Sequence, residues 1–195
     1  ADETVSSLYS VKSEQATMLS FDTYNYLVHY FGQPQGSMSD DPNGTLGGDY
    51  EFIISSASAE RIELKGKKYG NRIVMKALSE DQTWKQYLTK IKKVEDDAFF
   101  YEYDLLMDGL YTGQMLRSNY TFIVTYYDEI GKVHQKTVPF MFTADGMRFH
   151  EPVTIDGQTM QNFVWKNEEI SFVCTDEGAT EVKLAGVYTA GYQSY

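Results

Sequence analysis

Apolar and polar positions alternate with a period of two along most of the chain, the pattern of strands that turn one face toward a core. Tyr50, Phe52 and Ile54 fall on one side, with Glu51, Ile53 and Ser55 on the other. Ile62 and Leu64 alternate with Arg61, Glu63 and Lys65, and Ile73 and Met75 with Arg72, Val74 and Lys76. Gly66, Gly70 and Asn71 stand between these runs, so they read as an antiparallel meander. Further on, Phe99, Tyr101, Tyr103 and Leu105 oppose Phe100, Glu102 and Asp104, and Tyr120, Phe122, Val124 and Tyr126 oppose Thr121, Ile123, Thr125 and Tyr127. Val138, Phe140 and Phe142 continue the alternation, as do Ile170, Phe172 and Cys174. Asp128 to Lys132 reads as a Gly-containing hairpin loop, and Asp145-Gly146 as a turn in which glycine supplies a positive φ.

Two segments depart from this period. Asp22 is placed to cap a helix over 23–31, with Tyr24, Leu27, Val28 and Phe31 on one face and Gly32 and Pro34 stopping it. Ser79, with Gln82 three residues on, predicts a second helix over 80–94 that packs through Trp84, Leu88 and Ile91 and carries its lysines late, where the helix dipole favours cations. The acidic run Glu95-Asp96-Asp97 then marks a boundary, giving a first β-rich unit over 1–97 and a second over 98–195. Residues 17–21 are similar to 145–149 and residues 61–66 to 181–186, so the two units read as loosely similar. On that reading the hairpin of 120–142 has no counterpart at the front, and the chain is expected to lack an N-terminal part of its precursor. The expected fold class is therefore mainly β, a β-rich α+β protein of antiparallel sheets with one or two short helices.

Composition sharpens this picture. The chain has 195 residues, with 16 Tyr, 11 Phe and 2 Trp, an aromatic share of 15%. Aromatic residues suit pleated, half-buried surfaces, so these side chains are expected to fill the space between sheets. Lys and Arg number 17 against 28 Asp and Glu, a net charge of −11, which argues against a nucleic-acid partner. A single cysteine, Cys174, excludes an intrachain disulfide, and its place in an alternating run makes it a small apolar core residue. No run is long and apolar enough for a transmembrane helix.

The segments 19–31, Gly47-Gly48-Asp49-Tyr50-Glu51-Phe52 and 62–68 carry a resemblance. The chain resembles a domain-of-unknown-function family of predicted lipoproteins from Bacteroidetes, most specifically over residues 7–78 and more loosely over the C-terminal half. The resemblance implies an exported, lipid-anchored precursor in the cell envelope. It also implies a role beside SusC/SusD-like outer-membrane import systems for glycans or peptides. The lipobox cysteine of that family is absent here, so membrane attachment is expected only through a lipid anchor on the precursor.

Candidate chemistry is sparse. The loop 39–49 holds Asp40, Asp41, Asn43 and Asp49, oxygen donors suited to calcium, but Asp41-Pro42-Asn43-Gly44 puts glycine at position four, where an EF-hand needs it at six. A solvated turn is the better reading, and no metal or cofactor is assigned. His29, His134 and His150 form no His-x-x-x-His pair, and no Gly-x-Ser-x-Gly elbow is present. Lys65, Lys67, Lys68, Arg72 and Lys76 make the main basic concentration and read as edge-strand protection. Asn43 and Asn119 begin formal glycosylation sequons, coincidences under a bacterial origin. Trp84 and Trp165 are assigned to the core. Tyr26, Tyr30 and Tyr127 lie off the apolar stripes and are the candidate ligand-binding residues, since a pyranose face stacks on tyrosine. The function expected is a non-catalytic envelope lipoprotein or binding module that contacts a glycan, a peptide or a partner of an import system. A hydrolase assembled from distant residues and a structural assembly subunit are the alternatives.

Overall fold

A computed structural model describes residues 5–13, 16–34, 45–128 and 130–188. The chain divides into two compact units, 1–79 and 80–195. It is mostly strand, as the alternation predicts, with two antiparallel sheets and two short helices.

The first unit is an open meander, β1 (Tyr9–Ser13), β2 (Thr17–Phe21), β3 (Glu51–Ala57), β4 (Arg61–Gly66) and β5 (Arg72–Lys76), paired in chain order. Each strand is antiparallel to its neighbours, with one register shift between Ile54 and Ser56. Among its described residues the buried apolar side chains are Met18, Phe52 and Leu64. Between β2 and β3, α1 (Tyr26–His29) runs into a 3-10 turn, Tyr30–Gly32. This helix is shorter than the expected 23–31. Asp22 does not cap it; its carboxylate accepts from Ser20 Oγ at 2.9 Å and Lys12 Nζ at 3.1 Å, while Asn25 Oδ1 accepts from the Leu27 N–H at 3.0 Å. Leu27 and Phe31, expected on a packing stripe, are exposed.

The second unit is a closed eight-stranded barrel preceded by α2 (Trp84–Asp97). The strands are β6 (Glu102–Met107), β7 (Leu110–Ser118), β8 (Thr121–Tyr127), β9 (Val133–Phe142), β10 (Gly146–Ile155), β11 (Gln158–Lys166), β12 (Ser171–Cys174) and β13 (Lys183–Gly186). Consecutive strands pair antiparallel, and β13 closes the ring on β6 through Lys183↔Leu106 and Leu184↔Leu105. Closure leaves this sheet no free edge. Within the strands, inward positions follow the predicted parity, and Tyr103, Leu105, Met115, Phe122, Val124, Phe140, Phe149, Phe172 and Leu184 are fully or almost fully buried. Phe99, Tyr101 and Tyr120, expected on the same faces, are exposed because they precede the starts of β6 and β8. Phe122 and Phe140 stack with centroids 4.3 Å apart. Cys174 is buried as expected, and burial pushes its thiol up to about 11.

The boundary falls after Ser79 rather than after Asp97 because α2 belongs to the barrel: Val94 and Ala98 join the barrel core. The capping box forms one turn later than Ser79/Gln82, with Thr83 Oγ1 accepting from the Gln86 N–H at 3.3 Å and the Gln86 side-chain Oε1 accepting from the Thr83 N–H at 2.8 Å. Glu95-Asp96-Asp97 is the last helical turn, where Lys92–Asp96 and Lys93–Asp97 pair across one turn. Trp84 is 67% exposed and Leu88 is exposed too, so the expected packing of Trp84 fails, whereas Trp165 packs on the core with Phe172 at 4.8 Å.

Three further expectations change. Gly146 does not have a positive φ; a Cβ there would meet the Phe163 carbonyl oxygen at 2.0 Å, so glycine serves close strand approach. The segments matched between units are strands in both, but β2 and β4 stand two steps apart in their sheet while β10 and β13 stand three apart in theirs. The aromatic residues also divide by type. Phenylalanines fill the barrel, but Tyr103 is the one tyrosine buried among the described residues, because a phenol hydroxyl taken from water needs a partner.

Candidate functional site

At one end of the barrel four strand pairs are joined by Asp108-Gly109, Asp128 to Lys132, Asp156-Gly157 and the longer loop 175–182. Asp108 (φ 50°) and Gly109 (φ 76°), like Asp156 (φ 47°) and Gly157 (φ 74°), take the two left-handed positions of a hairpin turn that suits strand twist. Gln158 Nε2 ties two of these turns together by donating to Asp108 Oδ2 at 3.1 Å. Along β9, the stretch Val133 to Pro139 pairs with β8, whereas only Phe140 to Phe142 pair with β10, so toward this end the β8–β9 and β10–β11 hairpins part, with Lys136 Nζ donating across to the Thr154 carbonyl oxygen at 3.0 Å.

A cavity of about 340 Å³ opens at this end, lined by Tyr126, Tyr127, Asp128, Ile130 and Asp156. Tyr127 is 53% exposed and Ile130 more so, giving the cavity an apolar lip. Asp128 organises the hairpin: Oδ1 accepts from the Ile130 and Lys132 N–H groups at 3.1 and 2.8 Å, and Oδ2 lies 2.8 Å from His134 Nε2. These contacts, the His134 hydrogen bond first, hold the Asp128 carboxyl below its ordinary value. The His134 ring stacks on Tyr126 with centroids 5.2 Å apart, and Lys136 Nζ sits 5.5 Å from the same Tyr126 ring. On the neighbouring strand, burial and the nearby Asp104, Tyr127 and Glu102 push the exposed Tyr111 hydroxyl up. The arrangement offers flat aromatic surface beside carboxyl groups, which suits a ligand with an apolar face and hydroxyl or amide donors.

Of the candidate residues, Tyr127 lines this cavity. Tyr26 and Tyr30 belong to the first unit: Tyr26 opens α1 and is half-buried, and Tyr30 is exposed, edge-on to Phe31 at 5.4 Å. Asp49 is also in the first unit, where it is buried. Its carboxylate accepts from the Lys68 and Tyr69 N–H groups at 2.8 and 3.0 Å and from Asn71 Nδ2 at 2.8 Å. Burial works to raise this carboxyl, but those N–H groups outweigh it and hold it below its ordinary value. Asp49 thus fixes the β4–β5 turn. It also lines a second cavity, of about 330 Å³, with Gly32, Gly48, Tyr50, Glu51, Lys67 and Lys68. Asp40, Asp41 and Asn43 lie outside the described residues. Among the described residues no three His, Cys, Asp or Glu side chains converge on a metal position, and no helix is long and apolar enough to cross a membrane.

The model of the family described as a domain of unknown function, DUF4302, matches residues 1–167. The chain belongs to the DUF4302 family. That match spans the whole open sheet of this DUF4302 chain and its barrel through β11. Neither the curated proteins nor the solved structures yield a match to it. Sequence reasoning reached Tyr127 but missed Tyr126, Asp128, Ile130 and Asp156 as its neighbours. The available signal was Asp156-Gly157, a hairpin turn that brings a carboxylate to the same end as the Asp128 loop.

Proposed function

We propose that this protein is a non-catalytic binding module of the cell envelope, lipid-anchored in its precursor, that works beside a SusC/SusD-like import system and contacts a glycan or peptide at the hairpin end of its barrel. The observation that carries the reading is Tyr127, standing open over a cavity whose walls include Tyr126, Asp128 and Asp156. At about 340 Å³ the cavity falls within the roughly 300–1,000 Å³ range of small-ligand sites. Its turns are fixed by Asp128 and by the Asp-Gly pairs, so the surface is preorganised and little ordering free energy is lost on binding.

The contact between His134 and Asp128 is what favours the hydrolase alternative. The same Asp128 carboxylate also holds two backbone N–H groups of its own hairpin, a structural use that accounts for its position. Glycan and peptide arrays probed with the labelled protein decide between these readings. Binding that Tyr127→Ala abolishes, with the ligand recovered intact by chromatography, supports the proposal. Blank arrays, binding indifferent to Tyr127→Ala, or a cleaved ligand overturn it. Palmitate incorporation into the full-length precursor tests the anchor, and a precursor that takes up no lipid removes that part.

A further inference from the structure

The free edge of β5 in the first unit is built differently from an inert edge. All five residues of β5, Arg72 to Lys76, are exposed, and among the described residues no strand pairs with β5 on the side away from β4. The ladder to β4 is unbroken from Arg61↔Lys76 to Lys65↔Arg72. Just beyond its two ends, the Ala77 N–H donates to Glu60 O at 3.0 Å and the Gly66 N–H to Asn71 O at 2.8 Å. Hydrogen-bonded and non-bonded pairs alternate in an antiparallel ladder, so Asn71, Ile73, Met75 and Ala77 direct their main-chain groups at β4. Arg72, Val74 and Lys76 therefore direct theirs outward. The two sides of this edge differ in chemistry. Arg61, Lys65, Arg72 and Lys76 share one face, with Glu63 the only acidic side chain between them, bonded to Arg61 at 2.6 Å and Arg72 at 3.5 Å. Ile73 and Met75 lie exposed on the other face, beside Ile62 and Leu64. The turn leading into β5 is clamped by Asp49, so the edge is presented by a fixed element.

We propose that the β5 edge is a docking site for an acidic extended peptide segment, which adds as a sixth antiparallel strand. Strand addition of this kind draws affinity from main-chain hydrogen bonds and selectivity from alternate side chains. The incoming strand would bond Arg72, Val74 and Lys76, place carboxylates against Arg72 and Lys76, and place apolar residues beside Ile73 and Met75. Its motif is acidic, apolar, any, apolar, acidic. A second copy of the chain does not fit, because twofold pairing centred on Val74 sets Arg72 of one copy against Lys76 of the other, and like charges directly opposite repel. The cations that block self-pairing are thus the groups that admit an acidic strand. The site is independent of Tyr127 and of the barrel.

The test uses the full chain and two fluorescein-labelled peptides, Glu-Val-Thr-Val-Glu and Lys-Val-Thr-Val-Lys with glycine flanks, followed by anisotropy at low salt. The acidic peptide is expected to bind about tenfold tighter than its lysine twin, from two attractive against two repulsive cross-strand pairs. The double variant Arg72→Glu, Lys76→Glu should reverse that order. Val74→Pro removes an outward N–H without touching the β4 ladder, which an edge strand tolerates, and should weaken binding about tenfold. Equal affinity for the two peptides, an unreversed order in the double variant, or loss of binding on Tyr127→Ala would overturn the proposal. So would a dimer, seen by sedimentation, that the double variant abolishes. Should Val74→Pro fail to fold, the reversal by the double variant remains decisive.

Discussion

Removing one hydroxyl from the barrel core tests how that core is held. Tyr103 has no exposed surface, and its hydroxyl donates to the Ala98 carbonyl oxygen at 2.5 Å, at the point where α2 ends. The same carbonyl accepts a second bond, from the Phe100 N–H at 3.0 Å. Tyr103→Phe therefore deletes a hydrogen bond without orphaning a buried acceptor, and the cost at pH 7 is about 1 kcal/mol rather than the 2–3 of an unsatisfied group. Alkaline pH separates this from any packing effect. Burial pushes the Tyr103 hydroxyl up to about 12, against the smaller opposing pull of the Arg117 charge. A folded value raised above the unfolded one, near 10, gives stability that is complete below about pH 10 and is lost as pH rises toward the folded value. By pH 11 the wild type has lost about 1.4 kcal/mol through this group, and the variant has lost nothing through it. The two stabilities should cross near pH 11, where the titration loss of about 1.4 kcal/mol overtakes the hydrogen bond. Both tryptophans, Trp84 and Trp165, lie in the barrel unit, so urea unfolding followed by tryptophan fluorescence reads this unit alone. A difference that stays constant from pH 7 to 11, or a loss above about 3 kcal/mol at pH 7, would refute the reasoning.

Three other outcomes are expected. Gly146→Ala should cost about 2–3 kcal/mol in urea midpoint measurements, because the new Cβ meets the Phe163 carbonyl, which is backbone held in the ladder to β11. Asp49→Ala should expose the Lys68, Tyr69 and Asn71 amides to hydrogen exchange at pH 7. In the wild type the same protection, carried by a carboxyl whose folded value is depressed, should persist above about pH 4 and fade as pH falls through that lower value. Trp84→Ala should change stability by less than about 0.5 kcal/mol, whereas Trp165→Ala should cost about 2 kcal/mol or more by the same fluorescence assay, read from the remaining tryptophan.

Parity along each strand was legible because a period of two needs only neighbours in sequence: Phe122 and Val124, or Val138, Phe140 and Phe142, turn inward as the alternation requires. Closure was not, because the pairing of β13 with β6 joins residues about eighty apart, and nothing local distinguishes a closing strand from an edge strand. The start of α2 was misplaced because Ser79/Gln82 and Thr83/Gln86 both fit a capping box. The barrel decides between them by taking Val94 and Ala98 into its core. Tyrosine and phenylalanine look alike to a pattern of apolar positions, yet the hydroxyl sorts them, so that among the described tyrosines only Tyr103, with Ala98 as partner, goes fully inside. At the candidate site, Tyr127 could be picked out for lying off the inward stripe. Its neighbour Ile130 sits in the loop that follows it directly, but Asp156 comes from the β10–β11 turn, and that convergence exists only once the hairpins share an end of the barrel.

The most direct test of the binding reading is a ¹⁵N-labelled titration of the full chain with a ligand selected on the arrays, followed by amide chemical shifts. The account predicts concentration-dependent shifts concentrated at Tyr126, Tyr127, Asp128, Ile130 and Asp156, absent in Tyr127→Ala. Shifts that leave these five amides unmoved while others respond would contradict it.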